Sequence, residues 1–223
     1  MCLVTVYLAD VAPLRPDLPW KPLTIPGSGP PVELVRLEID PADGSSTSLV
    51  RFPPGWRRPG AGHYLCGEEF VVLEGRLTVS GVAYGPGERG WIRSAVTRRD
   101  SRSDAGALAL AWFSGVPAWV DGDTGTPPEP SGGRTRLLTV PVPDAGLLLR
   151  SGSAGETRLY EQAPASFAAA ARVLWPAGPG GPRWTALRPG EPVPSGRTGR
   201  AFVRIGHSHE REAVAGCPPE PIT

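Results

Sequence analysis

The stretch Leu49–Gly87, LVRFPPGWRRPGAGHYLCGEEFVVLEGRLTVSGVAYGPG, decides how the chain is read. Its apolar opening, Leu49 to Phe52, stops at Pro53-Pro54-Gly55. A polar loop then carries His63, Cys66 and the pair Glu68-Glu69. Phe70 to Leu73 follows the carboxylates directly and closes at Gly75, and Arg76 to Val79 runs on to the turn Tyr84-Gly85-Pro86-Gly87. Short apolar runs punctuated by proline and glycine predict strands joined by tight turns, as in a barrel or sandwich.

The same texture extends in both directions. Cys2–Leu8, Leu23–Ile25 and Val32–Ile39 precede the stretch as expected strands, and Trp91–Arg93 and Ala107–Phe113 follow it. Ser166–Ala171 is the one segment that suggests a helix. The chain has 28 prolines and 29 glycines in 223 residues, which favours many short strands over helices. Asp121 to Gly133 has no periodicity and reads as a linker. The expected organisation is therefore a barrel over residues 1–120, a linker over 121–133, and a second half over 134–223 that ends in a tail.

Composition excludes several functions. A net charge of +1 gives no electrostatic ground for binding nucleic acid or an anionic membrane. No apolar run approaches the roughly 18 residues that a membrane span needs, and Met1 to Ala9 lacks the basic start of a signal peptide. A cytoplasmic location is expected. Cys2, Cys66 and Cys217 make no paired framework, so reduced thiols are expected.

A faint internal repeat links the halves. Pro22–Pro26 is echoed by Leu137–Pro141, Leu49–Gly55 by Arg172–Gly178, and Phe70–Gly75 by Ala201–Gly206. The order is kept, as duplication with loop insertions would leave it.

The spacing from Glu68 to Gly75, with His63 upstream, resembles the first motif of the cupin superfamily. Gly67-Glu68-Glu69 and Val72-Leu73-Glu74-Gly75 are similar to a phrase in cupins related to anti-sigma-factor sensor domains. The resemblance strictly covers about forty residues. It implies an all-β protein of tandem cupin-like (double-stranded jelly-roll) barrels, the second degenerate, and a homodimer. It also implies a metal held by a histidine pair, a glutamate and a later histidine. Here the first histidine position falls at Ala61 and the last near Thr97 to Arg99, so only His63 and Glu68 remain of four ligands.

His63 and Glu68 are thus the candidate catalytic pair, as base and partner, and the candidate ligands if a divalent metal (zinc, iron, nickel or manganese) is bound. Two ligands are too few for a tight site, and a metal-free pocket stays open beside it. Neighbours on a strand face opposite ways, so one carboxylate should enter the pocket; the motif position that the resemblance gives Glu68 implies Glu68 inside and Glu69 on the surface. Tyr64, Trp56, Arg57 and Arg98 are expected to contact substrate. Arg57 and Arg58 suit a carboxylate or phenolate, and Arg98 and Arg99 could replace metal charge with guanidinium charge. His207 and His209 form a second candidate metal pair, against the alternative of a solvated tail. Cys66 reads as a spectator thiol. The expected function is a cupin-type isomerase, cyclase or lyase on a small organic metabolite, aromatic or polyketide-like. The alternatives are a non-catalytic sensor module for a small ligand or metal, and a metal-dependent dioxygenase.

Overall fold

A computed structural model describes residues 5–124, 126, 133–152 and 155–206. Every regular element among them is a strand. In chain order the strands are β1 (Thr5–Val6), β2 (Asp10–Val11), β3 (Lys21–Leu23), β4 (Val32–Ile39), β5 (Ser46–Phe52), β6 (Trp56–Arg58), β7 (Gly62–Tyr64), β8 (Glu68–Gly75), β9 (Leu77–Val79) and β10 (Val82–Tyr84). They continue as β11 (Glu88–Ile92), β12 (Ser101–Ser103), β13 (Ala107–Phe113), β14 (Trp119–Asp121), β15 (Thr135–Arg136), β16 (Leu147–Gly152), β17 (Gly155–Tyr160), β18 (Ala171–Trp175), β19 (Arg183–Leu187) and β20 (Ala201–Ile205). Ala171, expected to end a helix, instead opens β18, whose neighbours β19 and β20 satisfy its backbone. No helix among the described residues is long and apolar enough to cross a membrane.

The first half is a jelly roll. Its main sheet has the order β1-β4-β5-β13-β8-β11-β15, with β3 also on β4. Facing it are β10-β9-β12-β6 and the pair β14-β7. Val32, Val50, Phe70, Val72 and Ala111 from the main sheet share one apolar core with Trp56, Leu77, Val79 and Tyr84 from the facing strands.

The second half is a six-stranded sheet, β16-β17-β20-β18-β19-β2, laid against the back of the main sheet. Val35, Leu37, Leu49, Val71, Leu108, Leu110 and Trp112 meet Leu159, Leu174, Trp184 and Phe202 there. Both faces of the main sheet are therefore buried, which is what an unbroken apolar run such as Phe70-Val71-Val72-Leu73 requires. Two ionic ties cross this interface. Arg172 donates to Glu38 at 2.6 Å, and Glu38 also accepts from Thr47 at 2.6 Å. Glu69 sits among Arg89, Arg150 and Arg204 and accepts from Thr157 at 3.0 Å.

The two sheets repeat one strand order. Numbered along each half, β4-β5-β13-β8-β11 and β16-β17-β20-β18-β19 both run first-second-fifth-third-fourth. A register shift falls in the first pair of each, at Arg36/Glu38 and at Leu148/Arg150. The halves also exchange edge strands: β15 pairs with β11 of the first sheet, and β2 with β19 of the second. By this order β17 corresponds to β5, and β18 to β8. The sequence echoes slip against this order, by one element from β5 to β18 and by two from β8 to β20, because one apolar strand looks much like the next. The connections that supply the facing strands in the first half, residues 53–67, 76–87 and 93–106, are shorter in the second, at 161–170, 176–182 and 188–200. They form no opposing sheet among the described residues.

Candidate functional site

Alternation along the strands fixes what enters the barrel. On β4, Leu34 and Arg36 turn inward while Val35 and Leu37 pack against the second sheet. On β5, Ser48 and Val50 turn inward opposite them, paired Arg36 to Ser48 and Leu34 to Val50. On β8, Glu68 and Phe70 face the lumen, and Glu69 and Val71 face back. The lumen holds a cavity of about 250 Å³, at the small end for a ligand pocket. Most of its wall is apolar, from Leu23, Ile25, Leu34, Val50, Phe52, Phe70, Leu77, Val79 and Phe113. Its polar lining is Thr24, Arg36, Ser48, Arg58, Tyr64, Glu68, Arg98 and Ser101, with Trp56 beside them.

Arg98 is the pivot. Its backbone bridges to Gly62 in both directions, at 2.7 and 3.1 Å, which draws it over the cavity. Its guanidinium pairs with the carboxylate of Glu68 and lies 4.5 Å from the centre of the Tyr64 ring. Arg58 donates to the Tyr64 hydroxyl at 3.3 Å and stacks on Trp119 at 3.8 Å. Burial pushes the Tyr64 phenol above its ordinary value, although Arg58 and Arg98 pull the other way. At neutral pH it is a protonated donor.

The expected residues distribute unequally. Glu68, Tyr64, Trp56 and Arg98 line the cavity. Arg57 lies between the inward Trp56 and Arg58 on β6, so it points outward, is exposed, and pairs with Asp104 at 2.8 Å. His63 is buried, and its Nδ1 has no hydrogen-bond partner among the described residues. It is not among the cavity-lining residues, since its strand neighbour Tyr64 takes the inward place. Glu69, expected at the surface, is 0% exposed, because the back of the barrel is covered by the second sheet. Cys66 is buried and free, and burial raises its thiol further, leaving a poor nucleophile. His207 and His209 lie outside the described residues. Arg36, Ser48 and Ser101 were not singled out from sequence. The signal for Arg36 was its even spacing from Val32 and Leu34.

The cupin resemblance implies a divalent metal, and the lining residues do not fit one. Ala61 offers no donor, the carboxylate of Glu68 is engaged by Arg98, and a cation there would share the cavity with three guanidiniums. Among the described residues no group of three or more His, Cys, Asp or Glu stands together. Arg98, from the segment where the resemblance expects the last histidine, pairs its guanidinium with Glu68 instead.

No protein-family model matches this chain, and no curated protein does. Solved structures do. A candidate dioxygenase from Nostoc punctiforme superposes with a TM-score of 0.65 at 14% identity, covering 96% of this chain and 93% of that one. A candidate acetylacetone dioxygenase from Methylibium petroleiphilum gives 0.40 at 17% identity over 47% of this chain and 83% of that one. Oxalate decarboxylase from Bacillus subtilis gives 0.40 at 13% identity over 91% and 74%. The latter two are too distant to argue from. The first shares the fold across nearly the whole of both chains, so the architecture is all-β and cupin-like, the second half having no facing sheet among the described residues.

Proposed function

We propose that the barrel cavity binds a small, largely apolar organic molecule and performs proton transfer on it, as an isomerase, cyclase or lyase does. The observation that supports this is a carboxylate, a phenol and an arginine pair converging on an otherwise apolar pocket. Such a pocket, with few convergent polar groups, is where binding and chemistry belong. Glu68 accepts a proton from a carbon next to a carbonyl, so that a C–H bond breaks and the electron pair moves onto the carbonyl oxygen. Tyr64, whose hydroxyl Arg58 supports, donates to that oxygen as its charge grows. Return of the proton to a different carbon completes an isomerisation, and expulsion of a leaving group completes an elimination. Arg98 holds Glu68 in place.

Solvent deuterium exchange into small carbonyl compounds, followed by proton NMR, tests the reading. Glu68→Gln should slow exchange by about 100- to 10,000-fold, the span of general acid–base contributions, with ligand binding retained. No catalysed exchange into any compound that binds the cavity would leave a binding module.

A further inference from the structure

We infer that the cavity's ligand carries a carboxylate, held between Arg36 and Arg58; this rests on the cavity being the ligand site. The charge inventory leads there. Three guanidiniums line the cavity against the single carboxylate of Glu68, and Arg98 alone takes that carboxylate. Neither Arg36 nor Arg58 has a carboxylate partner among the described residues. Among the described residues, Nε of Arg58 (5% exposed) and Nε and Nη2 of Arg98 (3% exposed) find no hydrogen-bond partner. Ser48 Oγ, Ser101 Oγ and Trp56 Nε1, on the same lining, are buried and unpartnered as well.

Buried donors without acceptors, and buried cations without counter-ions, are costly to a fold. Their concentration around one apolar cavity suits an anion with several acceptor lone pairs. A carboxylate accepts from two guanidiniums through two oxygens and suits their planar fork. A phosphate or sulfate ester would fit the charge, but the apolar remainder of a cavity of about 250 Å³ favours the smaller group on a compact aryl or branched alkyl body.

Titration calorimetry on the full chain tests this with paired probes of one shape: benzoate against benzamide, and phenylacetate against phenylacetamide. Each carboxylate should bind at least about 30-fold tighter than its amide, and less tightly as salt is raised. Arg36→Met should weaken carboxylate binding about 10-fold and leave the amide unchanged. The same variant should melt no lower than the parent, because it removes an uncompensated, half-buried cation. Leu34→Trp, with folding confirmed by its melting curve, should abolish binding by filling the cavity. Equal affinity for carboxylate and amide, both lost in Leu34→Trp, would overturn the carboxylate while keeping the cavity as the site. Binding indifferent to Leu34→Trp, or no binding by any probe, would overturn the cavity reading itself.

Discussion

Replacing Glu69 with glutamine removes the negative charge that pairs with Arg89, Arg150 and Arg204 where the two halves of the chain meet. The carboxylate accepts from Arg89 Nε at 2.6 Å and from Thr157 at 3.0 Å. It also lies 3.5 Å from Arg150 Nε and 3.4 Å from Arg204 Nε. Glutamine keeps the shape and takes away the carboxylate on which buried Arg89 and the largely buried Arg150 and Arg204 converge. Breaking a buried ion pair from one side costs about 3–5 kcal/mol, a large share of the roughly 5–15 kcal/mol that holds a domain folded. Equilibrium urea unfolding should therefore show a much lower midpoint with an unchanged slope. The double variant Glu69→Gln/Arg204→Met should regain part of the loss, because it removes a charge along with its partner. Acid should act on the same group. Burial alone would raise the Glu69 carboxyl, but Arg89, Arg204 and Arg150 together outweigh it and hold it below its ordinary 4.5. Its folded value thus lies below the unfolded one, so its stabilisation is full above about pH 4.5 and is lost as pH falls through the folded value. The glutamine variant should show a shallower acid limb. A loss under about 1 kcal/mol would refute the reasoning, since the three guanidiniums would then be solvated where they stand.

Other outcomes follow from packing and turn geometry. Phe202→Ala, which empties the stacking partner of Trp112 at 5.2 Å, should cost about 3–5 kcal/mol in the same urea assay. Gly75→Ala should destabilise by more than about 1 kcal/mol, because Gly75 has φ +72° and a Cβ there would approach the Gly106 carbonyl to 2.1 Å. Cys66, buried with its thiol pushed up, should react with a disulfide reagent at pH 8 far more slowly in native protein than in urea; equal rates would contradict its burial.

Particular residues show how far the sequence could be read. In the Leu49–Gly87 stretch β5, β8 and β9 were legible because proline and glycine mark their ends, whereas β6 and β7 lie where a polar loop was expected. Glu68 was legible as an inward carboxylate because the interval to Gly75 fixes its register. Glu69 was misplaced, since alternation says that neighbours face opposite ways but not what covers the second face. The uninterrupted Phe70-Val71-Val72-Leu73 was the available clue that both faces are buried. Arg57 was placed in the site by nearness in sequence, whereas pleating sends it outward between Trp56 and Arg58. Arg36 lies on a strand distant in sequence from the motif, and only sheet pairing with Ser48 brings it to the cavity. The alanine-rich Ser166–Ala171 suggested a helix by local propensity, and pairing with β19 and β20 overrode it.

The account turns on Arg98 pairing with Glu68, which the cupin resemblance expects to hold a metal. Metal analysis of untagged protein, purified without chelators, tests this most directly when parent and Glu68→Gln are measured side by side. The account predicts far less than one equivalent of zinc, iron, nickel or manganese per chain at the cavity, and therefore the same content in both proteins, including any ion held by His207 and His209. Near-stoichiometric metal in the parent that disappears in Glu68→Gln would contradict it, and would return Glu68 to the role of a metal ligand.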